Sequence, residues 1–188
     1  MEWEALEQEC RSCERCPLSK TRRSVVFGTG CRTAEVMFVG EGPGQSEDEQ
    51  GLPFVGRSGQ LLDHYLEAID LSRETNVYIA NIVKCRPPQN RDPLPEESQA
   101  CMPWLRQQFQ CIRPKIVVCL GRVAAQRMLD PGFSISRDHG KFFDKQGTLF
   151  MATYHPAALL RYPDNKPAVF GDFVALRQKI TEVCDHTY

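Results

Sequence analysis

Nine cysteines stand among the 188 residues, and their spacing is the first feature that could do chemistry. Cys13 and Cys16 form a Cys-x2-Cys pair, Cys85 follows after 68 intervening residues, and Cys101 after 15 more. Structural zinc sites more often combine two close pairs, whereas one pair plus two distant single cysteines suits an iron-sulfur cluster held by four thiolates. Spacing alone leaves both metals open. Cys10 extends the pair into Cys10-x2-Cys13-x2-Cys16, like the start of a bacterial ferredoxin run, but that run needs a fourth cysteine where this chain has Lys20. The other cysteines, Cys31, Cys111, Cys119 and Cys184, lie in or beside apolar patterns and read as small buried hydrophobes.

A second set is polar and scattered. Gly40-Glu41-Gly42-Pro43-Gly44 follows an apolar run but is neither a Walker loop nor a good dinucleotide fingerprint, because no Lys-Ser/Thr follows and Pro43 stiffens it. Phe54, in a loop bounded by glycine and proline, is either a core anchor or a stacking platform for a planar base. His155 precedes Pro156, which biases it toward an extended conformation; a single histidine in such a place serves packing or catalysis.

The elements that must position these residues are legible as alternating patterns. Val25–Phe27, Glu35–Val39, Val77–Ile82, Ile116–Leu120 and Leu149–Thr153 read as buried strands. Leu61, Leu62, Tyr65, Leu66 and Ile69 follow helical spacing, as do Leu105 with Phe109, and Val169, Phe170, Phe173, Val174 and Ile180. Phe142-Phe143 and Leu149-Phe150 predict a hairpin into the last strand. The alternation predicts an α/β fold of one domain spanning residues 1–188, with ligands bound beyond the carboxyl ends of the strands. Glu41, Asn81, Gly121 and His155 occupy those ends.

Hydrophobic residues make up 41% of the chain, and no apolar run is long enough to span a bilayer, which argues against a membrane protein. The N-terminus is acidic and lacks the apolar stretch of a secretory signal, so the expected location is a reducing compartment, the cytoplasm. A net charge of -1 gives no global attraction to nucleic acid, yet Arg11, Arg15, Lys20, Arg22, Arg23 and Arg32 cluster against Glu14 alone, and Lys84, Arg86 and Arg91 form a second basic stretch. Two such loops beside a site would track a phosphate backbone, because local charge density governs counterion release.

Taken in order, Glu41-Gly42-Pro43-Gly44 with Glu47-Asp48, Pro53-Phe54-Val55-Gly56, Asn81-Ile82-Val83-Lys84-Cys85-Arg86-Pro87-Pro88 and His155-Pro156-Ala157-Ala158-Leu159-Leu160-Arg161 resemble the family 4 uracil-DNA glycosylases over nearly the whole chain. The resemblance implies a three-layer sandwich whose central sheet has four parallel strands flanked by helices. It also implies a 4Fe-4S cluster on Cys13, Cys16, Cys85 and Cys101, and excision of uracil from single- or double-stranded DNA by a monomer, nucleoid-associated in a prokaryote. In that reading His155 donates to uracil O2, Asn81 pairs with N3-H and O4, Phe54 stacks on the flipped base beside Gly42, and Glu41 and Glu47 orient water and shield the cationic sugar. Leu159 is the wedge that fills the vacated stack, with Leu160 second. Arg161, Arg22, Arg23 and Arg86 contact DNA. A sister group becomes covalently trapped through a histidine in the loop after the third cysteine; the loop Arg86–Pro93 has none, and Gly42 stands where that group resembles a glutamine. An electron carrier would need the cysteines but not Asn81, Phe54 and His155 in one pocket; a non-catalytic DNA-binding module would bind duplex and leave no abasic product.

Overall fold

The structure, a computed structural model, describes residues 2–188. Its centre is a sheet of six strands in the order β1-β3-β2-β4-β6-β5. Four of them, β2 (Val36–Gly40), β3 (Val77–Asn81), β4 (Ile116–Leu120) and β6 (Thr148–Thr153), are mutually parallel. These are the β-branched and apolar runs of the sequence, and they are apolar throughout because helices cover both faces. The sheet departs from the expected four strands at its edges: β1 (Thr29–Gly30) pairs antiparallel with β3, and β5 (Phe142–Lys145) antiparallel with β6. The hairpin is thus present, whereas Val25–Phe27 is not a strand. Those three residues are buried in irregular chain, with Val26 N–H donating to Lys84 O at 2.7 Å and Phe27 packed edge-on against Trp3.

Alternate residues of each strand serve opposite cores, as the two-residue period of a strand requires. Met37, Val39, Val117 and Cys119 face α1 (Trp3–Arg11), α4 (Pro95–Ile112) and α5 (Arg122–Met128). Val36, Phe38, Ile116 and Val118 face α3 (Arg57–Glu67), α7 (Pro156–Arg161) and α8 (Lys166–Val183). Two short helices, α2 (Gln45–Gln50) and α6 (Ile135–Asp138), complete the set. No helix of the described residues is long and apolar enough to cross a membrane. From β2 the chain moves to β3 on one side and reaches β4 on the other, so the strand order reverses between β2 and β4. That reversal opens a crevice at the carboxyl ends of the parallel strands.

Candidate functional site

A cavity of about 540 Å³ occupies the crevice and is lined by Glu41, Gly42, Glu47, Phe54, Asn81 and His155 among others. They come from four separate segments of the chain: the turn and short helix after β2, the Phe54 loop, the end of β3 and the start of α7. Asn81 is the last residue of β3, paired in register with Gly40 of β2. Its side chain is nearly inaccessible, and its Oδ1 is buried with no hydrogen-bond partner. An acceptor left in this state costs about 1–3 kcal/mol, so the folded chain holds it ready for a donor that comes from outside. Gly40 is required beside it, because a Cβ there would lie 2.5 Å from Asn81 Oδ1 and 2.6 Å from Phe54 Cζ.

Phe54 adopts a left-handed backbone (φ 52°), and its ring stacks on the His155 imidazole with centroids 5.6 Å apart. Two partners hold this strained loop. Glu47 Oε1 accepts from Val55 N at 2.9 Å and Gly56 N at 2.8 Å, while Arg73 donates to Pro53 O and Phe54 O at 2.7 and 2.9 Å. Asp63 fixes Arg73 in turn at 2.7 Å. Neighbouring Asp48 accepts from Arg23 N and Ser24 N and so braces the basic segment.

His155 caps α7. Its Nδ1 accepts from Ala157 N at 3.1 Å, which places the proton of a neutral ring on Nε2. Burial pushes its pKa down to about 4, against a smaller upward pull from Glu47, so the ring is neutral at physiological pH and Nε2–H is its donor. Gly121, with φ +92°, lets the chain pass: a Cβ there would meet His155 Cβ at 2.8 Å. Glu41, after β2, has its pKa pushed up to about 7, by burial first and then by the charge of Asp92, with Arg122 opposing. Arg122 Nη2 donates to Asp92 Oδ2 at 2.6 Å. Arg73, Asp92 and Arg122 were not singled out from the sequence.

The expected DNA contacts divide. Leu159 is fully buried against the α3/α8 core, so it cannot act as a wedge; the next residue, Leu160, turns outward and is 39% exposed. Arg22 is committed elsewhere, donating to Cys13 O at 2.7 Å and Cys85 Sγ at 3.4 Å. Lys84, expected in a basic surface loop, is buried, and Arg91 pairs with Glu97 at 2.7 Å. Arg23 and Arg161 are exposed, and Arg161 lines the cavity mouth. Arg86 Nε donates to Asn90 Oδ1 at 2.7 Å.

On the opposite face of the sheet, Cys10, Cys13, Cys16, Cys85 and Cys101 line a second, small cavity. Trp104 Nε1 donates to Cys13 Sγ at 3.3 Å, Arg22 to Cys85 Sγ at 3.4 Å and Lys84 N to Cys101 Sγ at 3.2 Å. Such donors stabilise thiolates rather than thiols. Among the described residues no comparable donor reaches Cys10, whose thiol burial pushes up to about 12. Burial also raises Cys101, to about 11; the Lys84 charge opposes the rise at both thiols, and at Cys101 the Lys84 N–H adds to that opposition. Among the described residues no three His, Cys, Asp or Glu side chains are spaced to hold a single metal ion. Of the remaining cysteines Cys119 is buried as expected, but Cys111 is exposed, and Cys31 and Cys184 are half-buried.

The family model of the uracil DNA glycosylase superfamily matches residues 27–176. A type-4 uracil-DNA glycosylase of Archaeoglobus fulgidus is 45% identical over 185 residues, covering 94% of this chain and 90% of the relative. Its counterpart from Thermotoga maritima is 42% identical, covering 87% and 85%. A type-5 uracil-DNA glycosylase of Pyrobaculum aerophilum is 32% identical, covering 79% of each chain. The matched segment carries the crevice, Phe54, Asn81 and His155, and the chain belongs to the uracil-DNA glycosylase superfamily, in its type-4 family.

Proposed function

We propose that this chain, acting as one domain, hydrolyses the bond between deoxyribose C1' and uracil N1 in DNA, leaving an abasic site. The observation that carries the reading is the buried, unpartnered Oδ1 of Asn81, in the same cavity as the Phe54 ring and the His155 Nε2–H. Uracil supplies what each lacks. Its N3-H satisfies Oδ1, its O4 accepts from Asn81 Nδ2, and its ring stacks on Phe54, worth about 1–3 kcal/mol. Cytosine presents the reverse pattern at both positions, and a buried site left unpaired in this way rejects the wrong base by roughly four orders of magnitude. The base must leave the duplex to reach the cavity, and the exposed Leu160 is positioned to fill the gap it leaves.

As the glycosidic bond breaks, electrons pass to uracil and negative charge grows on O2. Nε2–H of His155 is aimed by its N-cap bond and strengthens there, which lowers the barrier without tightening the ground state. The sugar becomes cationic at C1', and water adds to it. Ionised Glu41 stabilises that cation and orients the water, whereas Glu47 spends one oxygen holding the Phe54 loop, so its contribution is chiefly to position the ring. Gly42, which lines the cavity, packs so closely that a Cβ there would lie 2.7 Å from Val83 Cγ2, so only glycine fits at this point of the base pocket. Arg161, at the cavity mouth, is the first candidate to meet phosphates, with exposed Arg23, which sits 3.6 Å from Glu49, and Arg86 as further candidates.

The donor set of the second cavity fits a 4Fe-4S cluster: four thiols from three segments, with N–H donors already directed at three of the sulfurs. Cys13, Cys16, Cys85 and Cys101 would hold it. Bound there, it supplies a staple between the N-terminal segment, the loop after β3 and α4, and takes no part in hydrolysis. A crystal soaked with uracil tests the base-binding reading. N3 should lie within hydrogen-bond distance of Asn81 Oδ1 with the ring against Phe54; uracil bound elsewhere, or with Asn81 still unpartnered, would reject it.

A further inference from the structure

Lys84 is buried at 1% exposure, one residue before Cys85, yet none of its partners is a carboxylate. Its Nζ donates to Asn81 O at 3.1 Å and to Gln108 Oε1 at 2.7 Å, both neutral oxygens. Gln108 is itself fully buried, and its amide nitrogen is used on Phe27 O and Tyr78 Oη, so it has no charge to offer. An ammonium enclosed by neutral groups is expensive, and buried charges in proteins are ordinarily paired. Among the described residues the groups beside it able to carry negative charge are sulfurs: Lys84 lines the cysteine cavity, and its own N–H is bonded to Cys101 Sγ. Four thiolates around a 4Fe-4S core carry a net negative charge, which is the compensation that the ammonium lacks.

We propose that Lys84 is the buried counter-cation of the cluster, held between the cysteine cavity and the strand end that presents Asn81. The inference rests on the cluster reading above. A fixed positive charge on a residue that lines the cysteine cavity favours the reduced, more negative state of the cluster, and so raises its potential. It also ties the two sites mechanically, because the residue whose main-chain N–H is bonded to Cys101 Sγ holds, through its Nζ, the main chain of the base-recognition residue. Arg22 is a second cation at the cavity, but it is half-exposed and water shares in its compensation.

The test is electrochemistry of iron-loaded protein adsorbed on an electrode, for wild type and for Lys84→Met, Lys84→Gln and Lys84→Arg, with iron and sulfide assayed in each. In the two neutral variants the oxidised-to-reduced ratio at a fixed potential should rise about tenfold, a displacement of roughly 59 mV to more negative values for one electron. Lys84→Arg keeps the charge and should remain near wild type. Neutral variants that fail to hold iron while Lys84→Arg holds it would support the same conclusion. Loaded neutral variants at the wild-type potential would overturn it, as would iron loss in all three, which marks a packing role. Wild-type protein that binds no iron would instead reject the cluster reading itself.

Discussion

Replacing Asn81 by aspartate changes one atom of the base-recognition group and should change which base the pocket accepts. The main-chain roles of the residue survive the substitution: its pairing with Gly40 and the bond from Lys84 to its carbonyl do not involve the side chain. With uracil bound and the carboxyl ionised, the variant has lost the Nδ2 donor, so O4 is left facing an oxygen; a neutral carboxyl serves uracil only with its proton on Oδ2. Stranding one buried neutral acceptor costs about 1–3 kcal/mol, or roughly 5- to 150-fold in the rate of excision, and an ionised carboxylate would cost more. At 2% exposure the new carboxyl is driven toward its neutral form, in which it has one donor and one acceptor. With the proton on Oδ1 those match cytosine N3 and its amino group, the pairing that wild type refuses; with the proton on Oδ2 they match uracil instead. The assay is single-turnover cleavage, enzyme in excess, of labelled oligonucleotides carrying one uracil or one cytosine, with alkali to break abasic sites. Uracil excision should fall at least severalfold while trace cytosine excision appears. A uracil rate constant within twofold of wild type together with no cytosine excision, with the protein folded, would refute the assignment of Oδ1 and Nδ2 to the base edge.

Further outcomes follow from the same geometry. His155→Ala should keep affinity for uracil-containing DNA yet slow the single-turnover step by roughly 100- to 1000-fold, as loss of a transition-state donor does; weakened affinity with an unaltered step would place it in ground-state binding. Activity should rise as pH passes through about 7, because burial and Asp92 keep Glu41 neutral below that value, and Glu41→Gln should abolish that limb of the pH profile. Folding stability carries the opposite sign for this residue: its raised pKa gives stability present below the ordinary value of 4.5 and lost as pH rises through about 7, so Glu41→Gln should raise the thermal midpoint at pH 8 relative to wild type. Cys→Ala at 13, 16, 85 or 101 should abolish visible absorbance or solubility, whereas Cys10→Ala should preserve colour; the reverse pattern would reassign the ligands. Neutralising Arg161 should flatten the salt dependence of DNA binding by about one unit of slope, while Arg22→Gln should leave the slope intact and destabilise the cysteine site.

How much of this was legible in the sequence depended on whether a residue's role is set locally. The four parallel strands announce themselves because both faces are buried and every position must be apolar, as in Val36–Val39. β1 could not be found that way: it is two residues long and contains a glycine. Val25–Phe27 resembles a strand by composition but is buried by Trp3 and α1 without a full ladder. Asn81 and His155 were found because strand ends in an open α/β sheet face the crevice. Arg73, which clamps Phe54 from about twenty positions away, and the Asp92–Arg122 pair depend on tertiary proximity and leave no local pattern. The assignment of Leu159 as the wedge failed on helix phase, since one step rotates a side chain by about 100° and exchanges buried for exposed. Lys84 and Arg22 were read as surface charge by residue type alone, yet Arg22 donates to Cys85 Sγ and Lys84 is buried in the lining of the cysteine cavity.

The central claim is that the crevice between β2 and β4 excises uracil from DNA. Its most direct test is incubation of purified protein with single- and double-stranded oligonucleotides carrying one uracil, one thymine or one cytosine, followed by alkaline cleavage and detection of free base. The account predicts strand breaks and free uracil from the uracil substrates alone, both lost together in His155→Ala and reduced together in Asn81→Asp. Intact strands after prolonged incubation with iron-loaded, folded protein, or equal cleavage at all three bases, would contradict it.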